Sequence, residues 1–368
     1  MELGEFIETM PLLDHHCHFL IKGDVEKREE RLAQVSTEAD NSYPLSDTKN
    51  RLAWWAFRAE AQYFARDKTN FLQSMDAKEY AAYNQLIFKH YNFKMLLVDT
   101  GFVPADAIID LNEMKKITGL AVKKIYRIET HAQEWMEKEE TFTQWWRQLS
   151  QQVAHAVEDG FVGFKSIAAY RFGLRLRKVG TAEAKKAFHG WKNSGVKRLS
   201  DPALISYIVW NLAPYIIAQN KPLQFHVGYG DADTDLFEGN PLLLRSFLQN
   251  WCPKGLKVVL LHCYPYHREA GYLASVFPNL FFDTSLIDPL GPSAVNRVLD
   301  EALELAPYSR YLFASDASTY PEMYGVAASR FKAALLHHFA HLSEVPLEQK
   351  KVWIRKICYQ TAAELYIN

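Results

Sequence analysis

Eight short apolar runs recur along the chain: "MPLLDHHCHF", "FKMLLVDTGF", "KKIYRIET", "FVGFKSIAAY", "KPLQFHVGYG", "LKVVLLHCYPY", "NLFFDTSL" and "RYLFASDA". Most are continuous rather than alternating in polarity. A strand with one wet face alternates, whereas a strand covered on both faces reads as an unbroken apolar run, the mark of a parallel sheet. Segments with helical spacing separate several of the runs, such as "TFTQWWRQLSQQVAHAVEDG" before the fourth and "NPLLLRSFLQNW" after the fifth. Eight strands with intervening helices predict an α/β fold of the (β/α)8 TIM-barrel type. A doubly wound open sheet is the alternative arrangement of the same elements.

Two intervals are too long for simple connections. Residues 21–93 follow the first run and read as helical, for example "DAKEYAAYNQLIFKHYN", where Asp76 suits an N-cap. Trp54, Trp55, Phe57, Tyr63, Phe64, Tyr80 and Tyr83 in this interval suggest a local helical core. Residues 172–215 follow the fourth run and hold the basic stretch "RFGLRLRKVG" and then "DPALISYIVWNLAPYIIAQN". Both intervals follow strands, so in a barrel they lie over the C-terminal face, where barrel active sites are built.

The 368 residues are 48% hydrophobic and 14% aromatic, enough for a large core. Length alone allows one barrel with insertions or two smaller domains. The strand pattern favours a single barrel unit over 1–368. Lys and Arg total 42 against 43 Asp and Glu, so no charge excess points to nucleic acid or an anionic membrane. No apolar run reaches the roughly 18 residues of a membrane span, and "MELGEFIETM" lacks the pattern of a signal peptide. The expectation is a cytoplasmic protein with a small-molecule partner, self-association being left open. Cys17, Cys252, Cys263 and Cys358 are scattered and form no zinc-finger or disulfide pattern.

The candidate chemistry begins with three histidines in "HHCH". Alternate residues of a strand share a face, so His16 and His18 point one way, and His15 and Cys17 the other. An H-x-H pair at a strand end can hold one metal ion, though alone it is a weak signal. Three further polar residues stand in apolar runs: His226 in the fifth, His262 in the sixth and Asp316 in the eighth. Burying such groups is costly unless they are paired or bound to metal. Their coincidence with H-x-H points to a site for Zn²⁺ or a similar divalent ion. Lys165, in the fourth run, either snorkels to the rim or is carboxylated by CO₂ to bridge two ions, and its sequence context does not choose between them.

This arrangement resembles the metal-dependent amidohydrolase superfamily. The stretches "FHVGYGDADTDLFEGNPLLLR" and "HCYPYHREAGYLASVFPNLFFDTSL" are similar to the amidohydrolase-related domain found alone in bacteria and fused to glutamine-synthetase-like domains in fungi and plants. The resemblance implies metal ligands at His16, His18, His226 and Asp316. It implies one ion with His262 acting on substrate, or two ions bridged by carboxylated Lys165 with His262 as a ligand. It also implies a hydrolase that uses metal-activated water on an amide or γ-glutamyl-type C–N bond, while relatives that decarboxylate or isomerise, and a non-catalytic binding module, are the competing readings. Asp316 is the expected proton acceptor. Asp99, Glu129, Tyr170 and Arg171, at or beyond strand ends, are expected substrate contacts, with Arg171 suited to a carboxylate. Asp231, Asp233 and Asp235 have the alternate spacing of a calcium loop, but the glycine and glutamate of an EF-hand are misplaced, and they are read as a polar loop.

Overall fold

The computed structural model describes residues 1–22, 27–40, 42–103, 107–108 and 110–368. Seven of the eight apolar runs form strands: β1 (Leu12–Cys17), β2 (Phe93–Asp99), β3 (Ala121–Arg127), β4 (Phe161–Ser166), β5 (Leu223–Val227), β6 (Val258–His262) and β7 (Leu280–Phe282). They make one parallel sheet whose order follows the chain. Every residue of β1, β5, β6 and β7 is buried, as the unbroken apolar runs require. Helices return the chain between strands, among them Leu111–Thr118, Phe142–His155 and His267–Val276.

The eighth run differs from the expectation of a full strand. Only Tyr311 makes a ladder bridge, to Phe282 of β7. The segment nevertheless bonds on both sides. Leu312 N donates to Phe282 O at 3.0 Å, while His18 N donates to Ala317 O at 2.8 Å and Asp316 N to His16 O at 3.0 Å. Two features interrupt its ladder. The buried Asp14 carboxyl group of β1 accepts both the backbone N–H (3.0 Å) and the hydroxyl (2.5 Å) of Ser315. Asp316 then takes a left-handed backbone, φ 52°, which no strand accommodates.

Between β1 and β2 lie the helices Arg28–Gln34, Leu45–Lys49, Leu52–Phe64 and Ala77–His90. Residues 23–26 and 41 of the expected helical interval lie outside the described residues. Asp76 caps the last helix, accepting from Lys78 N and Glu79 N, and Glu79 reaches back to close a capping box. Trp54, Phe57, Phe64, Tyr80 and Tyr83 are buried as expected, but Trp55 and Tyr63 face outward, 54% and 62% exposed. Between β4 and β5 come Ala168–Arg171, Thr181–Ser194 and Pro202–Ala218, the last capped by Asp201.

A buried polar clamp ties the first interval to the body. Glu322, at the start of the helix Pro321–Ala340, pairs with Arg28 and accepts the Tyr83 hydroxyl at 2.8 Å. Arg28 and Glu322 are both buried, so losing one partner leaves an uncompensated charge. Arg28→Met is expected to cost about 3–5 kcal/mol in urea unfolding. Adding Glu322→Gln should recover part of that loss, which would not happen if Arg28 acted only by packing.

Candidate metal centre

The ends of β1, β4, β5, β6 and the eighth segment meet at one place. His16 Nε2 and His18 Nε2 lie 3.2 and 3.1 Å from the same oxygen, Asp316 Oδ1. His262 Nδ1 is 3.4 Å from Asp316 Oδ2. Lys165 Nζ reaches to 3.2 Å from His16 Nε2. The His226 ring stands 4.6 Å from that of His262, centroid to centroid. All six polar residues picked out of the apolar runs are thus brought together. The alternation expected in β1 is also seen, since His15 points away, 3.0 Å from Asp283 Oδ2 and stacked on Tyr366.

Burial sets the charges here. It pushes His16 down to about 4, with the nearby Lys165 adding to the effect. Burial likewise holds His226 and His262 well below the usual histidine range. These imidazoles are neutral and carry lone pairs. Burial opposes ionisation of Asp316, but His262, His16 and His18 outweigh it and keep the carboxyl well below its usual range. Burial also lowers Lys165 to about 8, against the opposing pull of Asp99 and Asp316.

Hydrogen bonds behind His16 decide which nitrogen it presents. Gln224 Nε2 donates to the carbonyl of His15 at 2.9 Å, which turns Oε1 towards His16 Nδ1 at 3.0 Å. An amide oxygen only accepts, so Nδ1 carries the ring proton and Nε2 faces the centre with its lone pair. His226 Nε2 and His18 Nδ1 are buried with no hydrogen-bond partner among the described residues. A buried imidazole nitrogen without a partner, in a group that also holds an anionic carboxylate, fits a divalent cation. One atom each from His16, His262 and Asp316 lies within 4.8 Å of the others, as does one each from His16, His18 and Asp99.

A cavity of about 940 Å³ opens over this group. Arg31 and Glu38, from the interval after β1, and Tyr170, Arg171 and Arg198, from the interval after β4, form part of its wall. Tyr170 packs on His226 with ring centroids 4.1 Å apart. Gly230 leaves room for it, because a Cβ there would meet Tyr170 Oη at 2.1 Å. Arg171 has a buried Nε without a hydrogen-bond partner among the described residues.

Asp99 and Glu129 do not face the cavity mouth as expected. Both are fully buried. Arg127, the neighbour of Asp99 on β3, binds it through Nε at 2.9 Å and through the guanidinium tip at 2.5 Å. Burial disfavours the Asp99 anion, yet Arg127 and then His18 outweigh it and hold the carboxyl below its ordinary range. Glu129 accepts the Ser166 hydroxyl at 2.6 Å and Ile167 N at 3.0 Å. In the loop after β5, Asp231 and Asp235 accept backbone N–H groups of their own turn, and Asp233 pairs with Arg198. Gln224 is missing from the residues expected at the site. Its signal was a second polar residue in the apolar run "LQFHV", two positions before His226 and on the same strand face.

The chain is 61% identical to a protein from Lactobacillus casei ATCC 334 provisionally described as a metal-dependent hydrolase, with a TM-score of 0.98 over 99% of this chain and 97% of that one. A uronate isomerase from Thermotoga maritima superposes with a TM-score of 0.69 over 99% and 96% of the two chains, at 15% identity, a likeness of fold alone. Protein fluG of Emericella nidulans is 26% identical over 99% of this chain. The chain spans 46% of that curated relative's length. The sequence profile described as Amidohydrolase matches residues 147–367, well over half of the chain, so the chain belongs to the amidohydrolase family.

Proposed function

We propose that this protein is a metal-dependent hydrolase that cleaves a C–N bond, of the amide or γ-glutamyl type, in a small molecule carrying a carboxylate. The observation behind this reading is the set of buried, neutral imidazoles around anionic Asp316, with His226 Nε2 left without a hydrogen-bond partner among the described residues. His16, His18, Lys165, His226, His262 and Asp316 would hold the divalent ion or ions, Zn²⁺ suiting imidazole and carboxylate donors. Such an ion supplies Lewis acidity and makes water acidic enough to ionise near neutral pH. The unit is one barrel over 1–368, with the intervals 21–93 and 172–215 inserted above its catalytic face.

The protein's own groups have separable tasks. Asp316 Oδ1 is shared by His16 and His18, which leaves Oδ2 as the atom to take the water proton and pass it to the leaving nitrogen. His262 Nδ1 lies beside that oxygen and steadies it. Arg171, its Nε without a protein acceptor among the described residues, receives the substrate carboxylate. Tyr170, braced on His226, bounds the same wall. Lys165 would be carboxylated: its neutral amine adds to CO₂, an N–C bond forms as one C–O π bond opens onto oxygen, one proton leaves, and the resulting carbamate would offer anionic oxygens to the ion or ions. A folded-state value near 8 supports this, because a neutral fraction of the amine exists at neutral pH.

Three measurements test the proposal. In elemental analysis after dialysis, the parent retains metal, and His16→Ala combined with His18→Ala loses it. Gln224→Leu, which removes the acceptor behind His16, should weaken retention by about 10–100-fold, and parent-like retention would show that Gln224 does not serve the ion. On a panel of amides, γ-glutamyl compounds and uronates, the parent should hydrolyse members of the first two groups. Asp316→Asn, loaded with metal, should lower kcat by about 10²–10⁴-fold. Turnover of uronates alone would replace hydrolysis by isomerisation. For Lys165, the parent should hold two ions per chain and show the added carboxyl group in a high-resolution crystal structure. Reconstitution should improve with bicarbonate, and Lys165→Ala should hold fewer ions. One ion beside a bare amine would remove the bridge.

A further inference from the structure

Ser285 and Asp283 stand behind His262, on the stretch that leaves β7. Ser285 Oγ is 2.6 Å from Asp283 Oδ1 and 2.8 Å from His262 Nδ1. Asp283 Oδ1 also accepts the backbone N–H of His262 at 2.7 Å and of Ser285 at 2.9 Å. An oxygen that takes two backbone N–H donors is an acceptor, so its 2.6 Å contact with Ser285 holds the hydroxyl hydrogen. A hydroxyl has only one hydrogen. With that hydrogen directed to Asp283, Ser285 can only accept from the imidazole. His262 Nδ1 must therefore bear the ring proton. Asp316 Oδ2, 3.4 Å from the same nitrogen, is a second acceptor and agrees with this assignment.

We propose that Ser285 and Asp283 are positioning residues that lock His262 in its Nδ1–H tautomer, leaving Nε2 as the ring nitrogen able to accept a proton or hold an ion. The proposal deepens the hydrolase reading and rests on it only in treating His262 as a working residue. Behind the arrangement, Asp283 Oδ2 lies 3.0 Å from His15 Nε2, and all four side chains are buried. It repeats with different atoms what Gln224 does for His16. In both cases an acceptor behind the ring fixes the proton on Nδ1. A buried imidazole without such a partner exchanges tautomers and turns, and outer partners of this kind govern ligand basicity and orientation.

The test is ¹⁵N NMR of histidine-labelled protein, metal-free and zinc-loaded, with His262 assigned by the signals lost in His262→Asn. The expected spectrum shows a proton on Nδ1 and a bare Nε2 in the metal-free parent, with the Nδ1 proton retained after zinc is added. Ser285→Ala should give mixed tautomers and a kcat about 10–100-fold lower. Ser285→Thr, which restores the hydroxyl, should return the parent tautomer. A proton on Nε2 in the parent, or loss of the Nδ1 proton on zinc loading, overturns the proposal whatever the variants do. So does Ser285→Ala with parent-like tautomer and kcat. The readout is independent of turnover: a parent with the Nδ1–H form but no amide hydrolysis would sink the hydrolase reading and leave this assignment standing.

Discussion

The grip of Asp14 on Ser315 is what the rest of the centre depends on. It ties the first strand to a segment three hundred residues later, where regular ladder pairing has given out. The carboxyl is fully buried, and burial pushes it up to about 8 in spite of the two bonds from Ser315. With Ser315 pinned, the next residue turns into the left-handed region and Asp316 swings its carboxylate onto His16 and His18. His262 also sits at positive φ, 70°. Each such non-glycine residue costs about 1–3 kcal/mol and persists only where its surroundings over-determine it. Asp14 supplies that constraint for Asp316, and the backbone bond from His262 N to Asp283 supplies it for His262.

The same economy of bonds governs protonation. An imidazole with one nitrogen tied to a fixed acceptor has no choice of tautomer, and its other nitrogen is then aimed. His16 is fixed through Gln224, which is itself held by the His15 carbonyl and the Tyr366 hydroxyl at 2.9 Å each. Tyr366 belongs to the final helix, Thr361–Tyr366, and stacks on His15. The last turn of the chain therefore sets the orientation of a residue in the first strand. Neutral histidines follow from burial, and burial follows from the unbroken apolar strands around them.

That division explains what could be read in the sequence. His16, His18, Lys165, His226, His262 and Asp316 were legible because a polar residue inside an apolar run is an anomaly with few physical excuses. Seven strands were legible for the complementary reason. The eighth run has the right composition, but its path is decided by a side-chain bond from Asp14, which periodicity does not register. Asp99 and Glu129 looked like residues of the mouth because they stand at strand ends. The parallel register pairs Asp99 with Ile125, Arg127 two residues further along β3 binds its carboxylate, and Ser166 meets Glu129, so both carboxylates turn inward. Ser285 and Asp283 were invisible as support, since their role lies in the direction of one hydroxyl hydrogen.

Charge places the strictest demand on Lys165. The residue is 2% exposed, and its amine lies against His16 Nε2, the lone pair best placed for a cation. Without an ion, a protonated amine is tolerable there because Asp99 and Asp316 are near and favour it. A divalent ion reverses that balance. Two positive charges brought to within about 4 Å of an ammonium interact at ~8 kcal/mol for an effective dielectric of 20, twice the figure for unit charges. This exceeds what removing a proton held with a value near 8 requires at pH 7, so an ion bound there would expel the ammonium proton. The bare amine then has two courses, to stay neutral or to take up CO₂ and become an anion. Only the second would change a repelling +1 into an attracting −1 at the same place, beside an Asp99 carboxylate that Arg127 already binds.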